Sequence, residues 1–113
     1  MKHHSITFVI TTFNRRHCIL TPLNSIIRSK IDANIIVIDD ASTDDTFSVV
    51  NHWIAENDLH HIVRYYRIPF NVGVTSAKNY GYFKAQSDWV AFLDSDDSVI
   101  SSRGNRFLDI LKN

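Results

Sequence analysis

Acidic side chains carry the first chemical signal in this chain. It has eleven aspartates and one glutamate, Glu56. Aspartate favours caps, loop ends and metal or phosphate chemistry, whereas glutamate favours helix interiors. Seven of the eleven aspartates lie within 39–45 and 94–97. Asp94, Asp96 and Asp97 follow directly on Trp-Val-Ala-Phe-Leu. Carboxylates crowded in this way repel one another and resist ionising together unless a cation intervenes. A hard divalent ion, Mn²⁺ or Mg²⁺, relieves that repulsion and retains water and phosphate as further ligands. A plainer reading is also open, in which Asp97 or Ser98 starts a turn or caps a helix. Asp39 and Asp40 close another apolar run. They suit either loop solvation with a helix cap or a carboxylate that accepts hydrogen bonds from a base or ribose. Asp44 and Asp45 read as acids in the first turn of a helix. In the stretch Asn71–Asn79, Gly73 permits a tight turn and Thr75 or Ser76 can cap a helix, with Lys78 one turn in. That helix start would offer N–H groups to an anion, unless it is an ordinary loop–helix junction.

These residues need elements to position them. Four apolar, β-branched or aromatic runs read as strands: Ile6–Thr11, Ile35–Ile38, Val63–Ile68 and Trp89–Leu93. The second and fourth are continuous, as in parallel strands covered on both faces. Helical spacing joins Ile19, Leu20, Leu23, Ile26 and Ile27, with Thr21-Pro22 as a cap and first position, or a start slightly earlier. Ser42 to Asp45 has the shape of a second helix start, followed by an apolar stripe of Phe47, Val50 and Ile54. A third helix is predicted over about Val74–Ala85, with Ala77, Tyr80, Gly81 and Lys84 on one face. Gly81 inside it costs helix propensity, which points to close packing on a strand. A fourth is predicted over about Arg103–Leu111. The order β-α-β-α-β-α-β-α predicts an α/β domain around a mostly parallel sheet with right-handed crossovers. Ligands of such folds sit outside the carboxyl ends of the strands. The polar clusters at Thr11–Asn14, Asp39-Asp40 and Asp94–Asp97 should therefore converge on one rim.

Composition narrows the function classes. The 113 residues make one domain, and 44% hydrophobic residues are enough for a core. Twelve Lys and Arg balance twelve Asp and Glu, which argues against a nucleic-acid binder that relies on basic excess. The single cysteine, Cys18, allows no internal disulfide, fits a reducing compartment and reads as a small buried hydrophobe. No apolar run is long enough for a transmembrane helix, and the start is not a signal peptide. The six histidines show no metal-ligand spacing.

Four motifs in order give the chain a family resemblance. Ile6–Arg15 resembles the opening strand of family 2 glycosyltransferases, which usually ends Pro-Thr-Tyr-Asn. Ile35–Thr46, Ile-Ile-Val-Ile-Asp-Asp-Ala-Ser-Thr-Asp-Asp-Thr, is very close to that family's second-strand motif. Asn71–Gly81 resembles its Asn-x-Gly-x-x-x-Ala-Arg-Asn-x-Gly stretch, and Trp89–Asp97 resembles the strand leading into its Asp-x-Asp motif. The resemblance implies a Rossmann-like GT-A fold, with helices on both faces of a mostly parallel sheet. Residues 1–113 would form its nucleotide-diphospho-sugar-binding half.

The resemblance also implies residue roles. Thr11 and Phe13 would line the base pocket, Phe13 replacing the usual Tyr. Asp40, with Asp39, would hydrogen-bond the base, commonly uracil. Lys78 stands where the family usually has Arg, keeping the charge but not the bidentate fork. Asp94 and Asp96, with Asp97 adjacent, would bind ribose and the Mn²⁺ or Mg²⁺ that bridges the diphosphate. Implied partners are a nucleoside diphosphate sugar and an acceptor glycan or lipid-linked sugar, in polysaccharide synthesis. The implied location is cytoplasmic, at the inner face of the membrane. The family's transfer is inverting, with a base on the acceptor hydroxyl. That base is an Asp well downstream, and no acid here occupies its place. A donor-binding domain that is not competent alone is therefore expected, with self-association through an open sheet edge. A non-catalytic nucleotide-binding module on the same fold shares every motif. A phosphoacceptor receiver domain would need an acidic pair after the first strand, where Thr-Thr-Phe-Asn stands. A dinucleotide oxidoreductase would need Gly-x-Gly-x-x-Gly there.

Overall fold

The computed structural model describes residues 6–94. Its elements run β1 (Ile6–Thr12), α1 (Leu20–Ser29), β2 (Ala33–Asp39), α2 (Thr46–Glu56), β3 (Val63–Arg67), α3 (Val74–Lys84) and β4 (Trp89–Asp94). The four strands form one all-parallel sheet in the order β3-β2-β1-β4. The predicted fourth helix, and the carboxylates Asp96 and Asp97, lie outside the described residues.

Topology follows from handedness. The path β1 to β2 to β3 steps one way across the sheet, so right-handed crossovers put α1 and α2 on one face. The step from β3 back to β4 runs the other way and puts α3 on the opposite face. The two cores show this division. Phe8, Ile10, Ile35 and Val37 pack with Ile19, Leu23 and Ile26 around α1 and with Val50, Trp53 and Ile54 of α2. Val9, Ile36 and Ile38 pack on the other face with Ala77 of α3 and Ile68. Burial of the central strand β2 on both faces explains the continuous run at 35–38, whereas the run at 89–93 forms β4, an outer strand of the described sheet that is not covered on both faces. Each fully buried Ile or Leu contributes about 1.5–3 kcal/mol. β3 and β4 are the outer strands of the described sheet, and Trp89 and Phe92 of β4 are about half exposed.

Helix starts differ from the sequence expectation in instructive ways. α1 begins at Leu20, one residue before Thr21, so Pro22 sits third in the helix. It is still in the first turn, where its missing N–H has no intrahelical partner to lose. α2 begins at Thr46, leaving Asp44 and Asp45 before its first turn rather than in it. Phe47 is 40% exposed and meets Tyr65 edge-on instead of entering the core; Trp53 takes the inward place and donates its indole N–H to Asn24 at 3.0 Å. Neither Thr75 nor Ser76 caps α3, which starts at Val74 after Gly73 with φ +91°. Cys18 is half-buried rather than enclosed.

Gly81 meets its expectation. A Cβ there would lie 2.4 Å from Val9 Cγ1 and 3.1 Å from Ile38 Cγ1, so only glycine lets α3 sit this close to β1 and β2.

Candidate functional site

Strand register assembles the rim. Thr11 of β1 pairs with Asp94 of β4, and Thr12 pairs with Asp39 of β2. The carboxyl ends of β4, β1 and β2 therefore stand side by side. The order in which strands are added reverses across β1 and β4, and ligands of open α/β sheets bind at such a switch point.

Two loops frame the rim, and the acidic motif knits them. Asn14, at φ +52°, accepts the N–H groups of Thr43 and Asp44 on its side-chain oxygen at 2.7 and 3.1 Å. Its own N–H donates to the Ser42 hydroxyl at 2.9 Å. Arg15 N–H donates to Thr46 Oγ1, and the Arg16 guanidinium meets Asp45 at 3.2 Å. Ser42 is thus a bridge between loops rather than a helix cap. Asp44 accepts both the N–H and the hydroxyl of Thr46. Burial pushes the Asp44 carboxyl up, but the hydrogen bonds from Thr46, the Arg16 N–H and the Arg16 charge outweigh it, and its pKa is lowered.

That shift has a pH consequence. A lowered carboxyl contributes stability above its unfolded pKa and loses it as pH falls through the folded value. Asp44→Asn should therefore unfold at lower denaturant than wild type at neutral pH, and the gap should close in acid. Parallel urea titrations at the two pH values check this.

The site residues predicted from sequence fall in distinct places. Thr11 is 7% exposed on β1, while Phe13 is 43% exposed just beyond it. Asp39 is fully buried: one carboxylate oxygen accepts Ser42 N–H at 2.8 Å and the other the Tyr65 hydroxyl. Burial and that hydrogen bond to Asp39 push the Tyr65 phenol well up. Asp40 is 5% exposed, and its two oxygens accept the N–H groups of Val72 and Gly73 at 2.7 and 2.9 Å. The anion in front of α3 is therefore a residue of the chain itself. Lys78, one turn into α3, holds its ammonium 5.9 Å from the Phe92 ring centroid, on the side of β4. Asp94 closes β4 at the rim. Among the described residues no three metal-ligating side chains gather. Carboxylates suit a hard ion, but Asp96, Asp97 and the side chain of Asp94 fall outside what the structure describes.

The structure adds Thr12 to the rim. It is 3% exposed, and its Oγ1 is buried without a hydrogen-bond partner among the described residues. Buried hydroxyls are normally satisfied, so one left open at a strand end is a place for a ligand or water. Its signal lay in the opening motif. Laid over Thr11–Asn14, the string Pro-Thr-Tyr-Asn puts its threonine on Thr12.

Comparison with known proteins places this geometry. Residues 7–112 match the family model described as glycosyl transferase family 2. An uncharacterized glycosyltransferase of Haemophilus influenzae is 32% identical over 94% of this chain and 42% of its own length. A GalNAc(5)-diNAcBac-PP-undecaprenol beta-1,3-glucosyltransferase of Campylobacter jejuni is 34% identical over 85% of this chain and 31% of its own. The chain thus spans less than half the length of these curated relatives. Among solved structures, a mannosyltransferase from Pyrobaculum calidifontis in complex with GDP-Man and Mn²⁺ superposes with a TM-score of 0.77 at 25% identity. It covers 86% of this chain and 29% of that one. TarS residues 1–349 of S. aureus with UDP superposes at 0.78, also at 25% identity, covering 94% of this chain and 32% of that one. With the four motifs in order, the parallel sheet and its switch-point rim, the chain belongs to glycosyl transferase family 2 and carries the GT-A fold.

Proposed function

We propose that this chain is the donor-binding part of a glycosyltransferase. It holds a nucleoside diphosphate sugar, uridine-linked, with a divalent metal, for inverting transfer to an acceptor hydroxyl in cell-surface glycan synthesis. The observation that carries the reading is the register: Thr11 beside Asp94 and Thr12 beside Asp39, at the switch point of the sheet. The ligands of two structural neighbours, GDP-Man with Mn²⁺ and UDP, support it.

The roles follow from chemistry and position. Phe13, exposed after β1, offers a ring on which a base stacks. Asp40 is better placed than Asp39 to meet the base, because it retains some exposure whereas Asp39 is fully buried. The open Thr12 hydroxyl adds a donor or acceptor at the same rim. Lys78 supplies positive charge on the β4 side, toward the diphosphate. Asp94, Asp96 and Asp97 would hold ribose and a Mn²⁺ or Mg²⁺ ion. Such an ion, when bound, supplies Lewis-acid stabilisation of the leaving diphosphate. In the family resemblance the base for the acceptor hydroxyl is an Asp downstream of these motifs, and none of the acids named here is assigned that role.

Calorimetry with UDP and Mn²⁺ tests the reading. Wild type should bind, and Asp96→Ala should bind at least about tenfold more weakly, the loss of one good charge contact. No heat from wild type in the presence of Mn²⁺ would sink the donor-site assignment.

A further inference from the structure

A cavity lies toward the amino-terminal end of β1 and β2, away from the rim. It has a volume of about 280 Å³ and opens between the start of β1 and β2, the outer strand β3 and the last turn of α3. Its walls carry Arg64 of β3, Lys84 of α3 and His61, with the amides of Asn34 and Gln86. Among the described residues lining it, none is acidic. Among the described residues neither Arg64 nor Lys84 forms an ion pair. Lys84 is held in place by aromatic faces, its ammonium lying 5.1 Å from the Tyr66 ring centroid and 5.4 Å from that of Tyr80. The carbonyl end of α3, which would repel an anion, is partly answered: Ala85 N–H donates to the carbonyls of Gly81 and Tyr82.

We propose that this cavity is an anion site that takes a phosphate group, separate from the nucleotide rim. Two cations and an imidazole face one concavity with amide donors between them, and a guanidinium pairs with phosphate oxygens in a bidentate fork. The volume suits a phosphate or diphosphate and is small for a nucleotide sugar. The cavity wall begins at Thr7, whereas the rim begins at Thr11, about 13 Å further along the same strand. A phosphate bound here leaves the rim free.

A phosphate of this kind comes from a soluble phosphorylated molecule or from an anionic lipid headgroup, and two probes separate them. The ¹⁵N-labelled chain is titrated with inorganic pyrophosphate at low ionic strength, with EDTA present to keep metal off the rim. A parallel series uses phosphatidylglycerol vesicles against phosphatidylcholine vesicles. The expected result is saturable, salt-sensitive change at the amides of Asn34, His61, Arg64, Lys84 and Gln86. It should weaken about tenfold in R64Q/K84Q, the loss of a charge-assisted contact. Response to pyrophosphate assigns a soluble ligand; response to phosphatidylglycerol alone assigns a headgroup. Both altered side chains are exposed, and unchanged amide positions elsewhere confirm the fold. R64Q alone, which spares the packing of Lys84 on Tyr66, should weaken the response in the same direction. The proposal is overturned if neither probe moves these amides, if the double variant responds like wild type, or if shifts appear only at Thr12, Asp40, Val72 and Gly73.

Discussion

Asp40→Ala unfolds at markedly lower urea than wild type and also loses UDP. The carboxylate of Asp40 is the partner of two backbone N–H groups, those of Val72 and Gly73, at 2.7 and 2.9 Å. Hydrogen bonds to a charged acceptor are worth about 1.5–3 kcal/mol each. Val72 is 36% exposed, so water recovers part of that loss. A net cost of about 2–4 kcal/mol is expected, a large share of the 5–15 kcal/mol that keeps a domain folded. The midpoint should drop with an unchanged slope, since the exposed surface of the unfolded chain stays the same. Asp40→Asn keeps one acceptor oxygen and should recover roughly half of the loss. Nucleotide affinity should fall further than stability alone accounts for, because the loop before α3 borders the rim. If Asp40→Ala kept wild-type stability and lost only UDP, Asp40 would be a ligand contact with no structural duty.

Gly81 gives the second large effect, and there the sign is the test. On an isolated helix, Gly→Ala gains about 1 kcal/mol. In this chain the added Cβ would lie 2.4 Å from Val9 Cγ1. Val9 and Ile38 are both fully buried in central strands, so neither has room to retreat. Overpacking of this kind costs about 1–3 kcal/mol, which exceeds the propensity gain. Gly81→Ala should therefore destabilise by about 1 kcal/mol, and Gly81→Val by about 3 kcal/mol or more as its branches meet the same wall. Thermal unfolding of the pair reads the order directly. A stabilised Gly81→Ala would mean that α3 docks more loosely on the sheet than these contacts show.

The two variants together explain why the rim is built from so few residues. α3 is drawn onto the sheet by Gly81 at one end and held by Asp40 at the other. The loop between β3 and α3 is thereby fixed beside the carboxyl ends of β1 and β2. Asn14 does the same for the 42–44 turn. Such loops stay ordered because their backbone donors have acceptors within the chain.

Much of this was legible in the sequence. Period and order alone placed four strands and three helices, and the continuous runs at 35–38 and 89–93 marked parallel strands. Strand-end polar clusters then had to share a rim, since all parallel strands point their carboxyl ends the same way. Gly81 betrayed a close approach because nothing else rewards a glycine in mid-helix. The motifs named the family. What the sequence left open were the partners of side chains, because those depend on distances across the sheet. Asp39 and Asp40 are neighbours in sequence, yet Asp39 turns to Tyr65 and Ser42 beneath α2, while Asp40 turns to the start of α3. Alternation along a strand sends adjacent residues to opposite faces, so one motif serves two sides of the molecule. The unanswered hydroxyl of Thr12 and the basic cavity of Arg64 and Lys84 likewise arise only when distant segments meet. Composition and spacing determined what chemistry the chain carries; the tertiary fold decided which of its acids hold loops and which buried polar atom stays without a partner among the described residues.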